Sequence, residues 1–200
     1  NWQSERARQD TEHMVRAVAT YLSKCSASDR TLVAREATFE VAIEFARLRG
    51  IADRIEAVKH ENGALELRIV DLKTGRTAPT KAEVADHAQL QAYQLGAQEG
   101  AFLDHEGNTL TQAAFTSASL LYVHPDTLSA TQRKQGESYV EYAQQGLTAE
   151  SRETFIERVL ATAHAMAGSS FVAQVEHHCS DPYAIGAGCA LHIIPAVSAS

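Results

Sequence analysis

The 200-residue sequence predicts an α/β (α+β) chain in the order α-β-β-β-α-β, with an additional C-terminal helix. Three observations carry that reading. Apolar residues recur at helical spacing near the start. Three runs with strand character follow, two of them joined through Asn-Gly. A long helical stretch then leads to one short apolar run, ASLLYV. With 44% apolar and 22% charged residues, the composition is that of a globular chain long enough for one sizeable core.

Residues 1–24 are predicted as a helix because Met14, Val15, Val18, Tyr21 and Leu22 fall at helical spacing. Thr38 to Phe45 alternates Phe39, Val41, Ile43 and Phe45 against Glu40, Ala42 and Glu44, the period-two pattern of a half-buried strand. Gly50–Lys59 and Ala64–Lys73 make two further strands around Glu61-Asn62-Gly63, a hairpin turn in which Gly63 accepts positive φ. TGRTAP is a loop. Ala82–Glu99 is a helix with Val84, Ala88, Ala92 and Leu95 on one face. Residues 101–116 look irregular. Ala118–Val123 is a buried strand, and a polar Gln-rich stretch follows it. Thr148 caps a last helix, Glu150–Ala167, whose apolar face carries Phe155, Ile156, Val159 and Leu160.

Centring the hairpin on Asn62 makes opposed residue numbers add to 124. Ile55 then faces Ile69, Ala57 faces Leu67 and Lys59 faces Leu65, all on an apolar face. On the other face Glu56 stands opposite Arg68. The same register sets Asp53 opposite Asp71, with Lys73 two residues on, on the same face and opposite Ile51. Directly opposed carboxylates repel, and a divalent cation would compensate them. Two acids and one ammonium at the edge of an apolar sheet face suit phosphodiester hydrolysis. The D-x-K triplet alone recurs by chance in a chain of this length. The combination with Asp53 and a helix after the third strand is what points to this chemistry.

R-G-I-A-D-R-I-E, I-V-D-L-K-T-G and A-Q-L-Q-A-Y, in that order, resemble the PD-(D/E)xK nuclease superfamily. More narrowly, they are similar to the RecB-like nuclease domains of bacterial helicase–nucleases of the RecB, AddB, AdnA and AdnB type. The resemblance covers Thr38 to about Gly96 best. It implies a restriction-endonuclease-like core, a mixed central sheet flanked by helices. It also implies that Asp53 and Asp71 ligate metal, with the Leu72 carbonyl as a third ligand, and that Lys73 is the catalytic lysine. Gln89 and Tyr93 match the family's Q-L-x-x-Y helix, which lies beside the metal site. They are four residues apart and share a helix face. Arg54, Arg76 and Lys81 are candidate phosphate contacts on DNA. The family's metal-site histidine is expected on a helix upstream of Asn1, which leaves His13 as an ordinary surface residue.

The resemblance implies a Mg2+-dependent deoxyribonuclease (exonuclease), with Mn2+ as an alternative ion. It would cut single-stranded DNA delivered by helicase motor domains in bacterial double-strand break repair and recombination. Rival readings are a catalytically silent module with a structural or DNA-guiding role, and a stand-alone metallohydrolase of another phosphoester. Net charge is −7, yet residues 47–81 hold eight basic against five acidic side chains, while residues 82–200 hold four against thirteen. A local basic rim on an acidic body fits a module whose motor supplies most of the affinity for DNA.

The nuclease domain is expected to occupy residues 1–170, and 171–200 an irregular tail. Relatives hold a [4Fe–4S] cluster with a cysteine run after the last helix. Here Cys179 and Cys189 remain but Pro182 stands where the middle cysteine would be, so no cluster is expected. His177, His178, Cys179, Cys189 and His192 lack the spacing of a standard zinc module, and zinc is not expected either. Cys25 is expected to pack as a small apolar residue. Three scattered cysteines, the polar opening and the absence of a spanning apolar run make the expectation a cytoplasmic protein without a membrane partner.

Overall fold

The first helix, α1 (Trp2–Ala27), buries Ala17, Tyr21 and Cys25, a stripe at a spacing of four. Met14 and Val18 flank that stripe, partly buried, whereas Val15 and Leu22 of the predicted face are exposed. The computed structural model describes residues 2–59, 65–110 and 114–168. The predicted turn residues Glu61, Asn62 and Gly63 lie outside it, as do the tail residues Cys179, Pro182, Cys189, His177, His178 and His192. Residues 1–160 belong to one compact unit. Of the second unit, only the end of the last helix lies among the described residues.

Three long antiparallel strands follow: β1 (Arg30–Ile43), β2 (Ala46–Lys59) and β3 (Leu65–Lys73). β1 begins eight residues before its predicted start. It ends at a tight turn in which Glu44 has φ 50° and Phe45, expected to face inward, is 63% exposed. The β2–β3 register is the one read from the sequence: Ile55 faces Ile69, Glu56 faces Arg68, Ala57 faces Leu67 and Lys59 faces Leu65.

The β1–β2 pair departs from simple alternation. Ala37 faces Ala52 and Ala34 faces Ile55, and all four are buried in the same core. Each strand takes an odd step of three residues between those two pairs, so both change phase there. Glu36 adopts φ 50° at that point, and the register shifts between Leu32 and Ala34. Such irregularities bend a strand and re-aim its side chains. Asp53 lies within the change of phase. Ile51, expected opposite Lys73, is 52% exposed as a result.

The predicted helix 82–99 is two helices, α2 (Lys81–Ala85) and α3 (Ala88–Gln98). Thr80 and Glu83 form a capping box on α2, and His87 enters α3 in an extended conformation. The break leaves carbonyls of the first segment without helical donors. Gln144 supplies one: its amide nitrogen lies 2.7, 3.2 and 3.3 Å from the carbonyls of Val84, Ala85 and His87. Gln94 of α3 donates to the Gln144 side-chain oxygen at 2.8 Å. The Gln-rich stretch left unassigned from sequence therefore holds a strand that ties the helix break down.

The remaining strands are β4 (Phe102–Leu103), β5 (Ala114–Tyr122) and β6 (Val140–Gln144). Between β5 and β6 lie a 3-10 turn at Pro125–Thr127 and a short helix, α4 (Ala130–Lys134). The six-stranded sheet runs β4-β1-β2-β3-β5-β6. It is mixed: β3 and β5 are parallel and every other pair is antiparallel. Parallel neighbours need a crossover, and α2 and α3 lie within it. The last helix, α5 (Ala149–Ala167), is capped by Thr148, whose hydroxyl accepts the Ser151 amide at 3.2 Å. The fold is thus the predicted one, a mixed sheet flanked by helices.

The sheet separates two cores. Ile55, Leu67, Ile69 and Leu120 pack with Leu90, Leu95 and Phe155 on one face. Val70, Leu121 and Val123 pack with Ala17, Tyr21 and Cys25 of α1 on the other. Each fully buried aliphatic or Phe side chain stabilises the fold by about 1.5–3 kcal/mol through its removal from water. The α1 face also encloses a charge. Glu56 is fully buried and accepts from Tyr21 (3.0 Å), Cys25 Sγ (3.5 Å) and Arg54 Nε, with Arg30 at 3.8 Å. Cys25 is thus buried as expected, but it also donates to an acid.

Phe39 occupies the tightest position on the other face. A β-carbon at Gly50 would stand 2.8 Å from its Cζ, and one at Gly96 2.7 Å from its Cδ2. The ring meets Phe102 at 4.9 Å and Tyr93 edge-on at 6.0 Å. Gly50→Ala and Gly96→Ala are each expected to lower stability by about 1–3 kcal/mol through overpacking against this ring. Urea denaturation midpoints of the two variants check this, and a midpoint at or above wild type for both would contradict it.

Candidate active site

Asp71 is 3% exposed near the end of β3, beside Leu120 of β5. Burying a carboxylate is costly unless hydrogen bonds or charges compensate it. Here the two oxygens are treated differently. Oδ1 accepts from Gln89 Nε2 at 2.9 Å and from the Tyr93 hydroxyl at 2.8 Å. Oδ2 is buried and has no hydrogen-bond donor aligned on it among the described residues. Its neighbour is the Lys73 ammonium, 2.7 Å away, an ion contact off the hydrogen-bonding line. The lysine's aligned bond goes to Gln89 Oε1 at 2.8 Å.

Gln89 and Tyr93 are one helical turn apart on α3, so both reach the same carboxylate. Gln89 Nε2 also donates to the Tyr93 hydroxyl at 2.8 Å. The phenol has one proton and two acceptors, Asp71 Oδ1 and the Ile51 carbonyl at 2.9 Å. Burial first, then the bond to Asp71 and its charge, push the Tyr93 pKa up, against the opposing donation from Gln89. Tyr93 therefore acts as a proton donor in a hydrogen bond and not as a base.

Asp53 enters from β2. Arg54 faces Val70 in the last pair of the β2–β3 ladder, so Asp53 and Asp71 stand one step beyond it. Asp53 Oδ2 accepts the Leu72 backbone amide at 2.7 Å, which ties it to β3 between Asp71 and Lys73. Asp53, Asp71, Lys73, Gln89 and Tyr93 are thus brought together at the end of β3.

The other named residues lie elsewhere. Arg54 points to the opposite face and spends its Nε on Glu56. Arg76 is exposed and pairs with Asp10 at 3.0 Å and Asp126 at 3.6 Å. Lys81 is exposed at the first position of α2. His13 is half-buried on α1, across the sheet from Asp71, where its Nε2 lies 3.1 Å from the Ser138 carbonyl. It is not the surface residue expected.

One residue was missed. His87 precedes α3, and its Nδ1 is buried without a hydrogen-bond partner among the described residues. Burial chiefly, then the charge of Lys73, lower its pKa, with Asp71 opposing. Its position two residues before Gln89 is the only signal in the sequence, and the expected unbroken helix conceals it.

A model of the PD-(D/E)XK nuclease superfamily matches residues 1–193. The chain belongs to the PD-(D/E)XK nuclease superfamily. Its members are nucleases, generally hydrolytic and metal-dependent. No curated protein matches. Among solved structures the chain is similar to one described as the crystal structure of SSO0001, at 16% identity and a TM-score of 0.42. That similarity covers 78% of this chain, which spans 59% of the length of the other. No helix among the described residues is long and apolar enough to cross a membrane.

The superfamily's divalent ion finds suitable chemistry here. Among the described residues there is no cluster of three or more His, Cys, Asp or Glu side chains arranged for a metal. Magnesium, however, is commonly held by one or two carboxylates plus waters and substrate phosphate. Asp71 Oδ2, buried and without an aligned donor, and the adjacent Asp53 provide hard oxygen donors of that kind.

Two outcomes follow from this geometry. Tyr93→Phe removes the single hydroxyl proton shared between Asp71 Oδ1 and the Ile51 carbonyl, and is expected to cost about 1–3 kcal/mol in chemical denaturation. His87, with its folded pKa below the ordinary 6.5, contributes a pH dependence of definite sign. The unfolded chain takes up the proton first as pH falls, so stability is complete above 6.5 and declines below it toward the folded pKa. Denaturation midpoints between pH 7.5 and 5.5 are expected to fall less steeply for His87→Asn than for wild type. Equal slopes would contradict the assignment.

Proposed function

We propose that this chain is the nuclease module of a bacterial helicase–nuclease of the RecB-like kind. It hydrolyses single-stranded DNA delivered by helicase motor domains during double-strand break repair and recombination in the cytoplasm. The observation that carries the hydrolytic reading is the buried Asp71 carboxylate, with Lys73, Gln89 and Tyr93 on it and Asp53 anchored beside it. The narrower context rests on the sequence resemblance, R-G-x-x-D-R followed by D-L-K and Q-L-x-x-Y.

Asp53, Asp71 and the Leu72 carbonyl would hold one Mg2+ or Mn2+, which supplies polarisation of the phosphoryl oxygen and a more acidic water. The protein groups have separate tasks. Tyr93 and Gln89 occupy Asp71 Oδ1 and so leave Oδ2 to face the reaction centre. Lys73, steadied by Gln89 Oε1, offsets negative charge that grows on the phosphoryl group. Exposed Arg76 and Lys81, in the loop and helix after β3, are proposed to contact DNA phosphates. Arg54 is reassigned by this reading to supporting the sheet.

Cleavage of single-stranded DNA, followed with Mg2+ or Mn2+ in the full polypeptide, tests the proposal. Asp71→Ala and Lys73→Ala are each expected to slow cleavage by about 10²-fold or more. Absence of metal-dependent cleavage by the wild type, or full activity in either variant, would overturn it.

A further inference from the structure

The environment of Asp71 Oδ2 contains a cation already. Lys73 Nζ lies 2.7 Å from it, yet is hydrogen-bonded to Gln89 Oε1. The ammonium is held against the carboxylate oxygen by charge and steered by the glutamine. A hard divalent ion binds a carboxylate oxygen at roughly 2.0–2.1 Å. An ammonium cannot keep its present place beside the same oxygen once that ion is there, because the two positive charges would sit a few ångströms apart.

We propose that Lys73 is the resident counter-ion of Asp71 in the metal-free chain, and that a divalent cation enters by displacing it. Gln89 Oε1 retains the displaced ammonium, so the lysine stays within the site where hydrolysis needs it. Gln89 is then a positioning residue: one end of its amide fixes Asp71 Oδ1 and the other holds Lys73. Lysine and metal are antagonists in binding although both serve the reaction. The metal affinity of the native chain is accordingly lower than its carboxylates alone would give. This inference rests on the reading that Asp71 and Asp53 hold the ion, and not on the identity of the substrate.

Calorimetric titration of Mn2+ into wild type, Lys73→Met and Asp71→Asn tests it without any reaction being run. Lys73→Met is expected to bind Mn2+ roughly tenfold or more tightly than wild type, since a like charge at short range has been removed. Asp71→Asn is expected to lose binding. Equal or weaker binding by a folded Lys73→Met, or no binding by any of the three, would overturn the proposal. If Lys73→Met does not fold, the Lys73 ammonium resonance of the wild type decides. It is expected to shift on saturation with Mg2+, and an unchanged resonance would overturn the inference. The nuclease reading fails separately: tighter binding by Lys73→Met with no cleavage by wild type sinks that reading and leaves this one standing.

Discussion

Most of this structure is organised by the need to bury one carboxylate. Asp71 is 3% exposed, and a lone ionised carboxylate in such a place costs several kcal/mol. Its compensation comes from separate elements: Lys73 from β3, and Gln89 and Tyr93 from α3, with Tyr93 tied in turn to the β2 backbone at Ile51. Helix α3 must therefore lie on the sheet at one rotation. That rotation is reached by breaking the preceding helix at Asp86-His87, and the break is tolerated because Gln144 takes up its carbonyls. Phe39, pressed between Gly50 and Gly96, backs the Tyr93 ring edge-on.

A second buried acid is compensated differently. Glu56 is fully buried on the α1 face, beside the guanidinium groups of Arg54 and Arg30. Guanidinium keeps its charge at any ordinary pH. Arg54 stands on Glu56 Oε1, while Oε2 is buried without a hydrogen-bond partner among the described residues and has Arg30 3.8 Å away. With Tyr21 and Cys25 also donating, Glu56 anchors α1 to the sheet. Asp71 has neutral donors on one oxygen and a single lysine against the other. Lysine's flexible, point-like ammonium differs from the planar guanidinium beside Glu56. The adjacent letters of the Asp53-Arg54 motif thus serve opposite faces: the acid accepts the Leu72 amide beside Asp71, and the base donates to Glu56 on the α1 side.

The sheet's central hairpin was legible because period-two patterning and an opposite-charge pair both fixed one register, and Asp53, Asp71 and Lys73 followed from counting. Gln89 and Tyr93 were legible through the resemblance to the family's Q-L-x-x-Y helix, and their spacing of four set them on one face. The missed features share a cause, since each depends on contacts distant in sequence. The break before α3 has no Gly or Pro to announce it and is paired by Gln144, far along the chain. The phase change at Glu36 and Asp53 involves two strands at once, so alternation along either one misplaced Ile51. β6 is short because it borders the sheet, and it carries Gln144, the glutamine that serves the break. His87 stayed hidden inside a helix that is not continuous.

The Phe39 cluster has a consequence for heredity. Three codons far apart in the gene, for Gly50, Gly96 and Phe39, encode one packed volume. A larger residue at either glycine is tolerable only in a lineage whose aromatic ring has first shrunk, and a smaller ring leaves Tyr93 without its flank. The three sites are therefore expected to drift as a linked set, with the order of substitutions constrained. The glycine before Asp53, which looks like part of a catalytic signature, would persist for a reason of volume, two steps removed from the chemistry it accompanies.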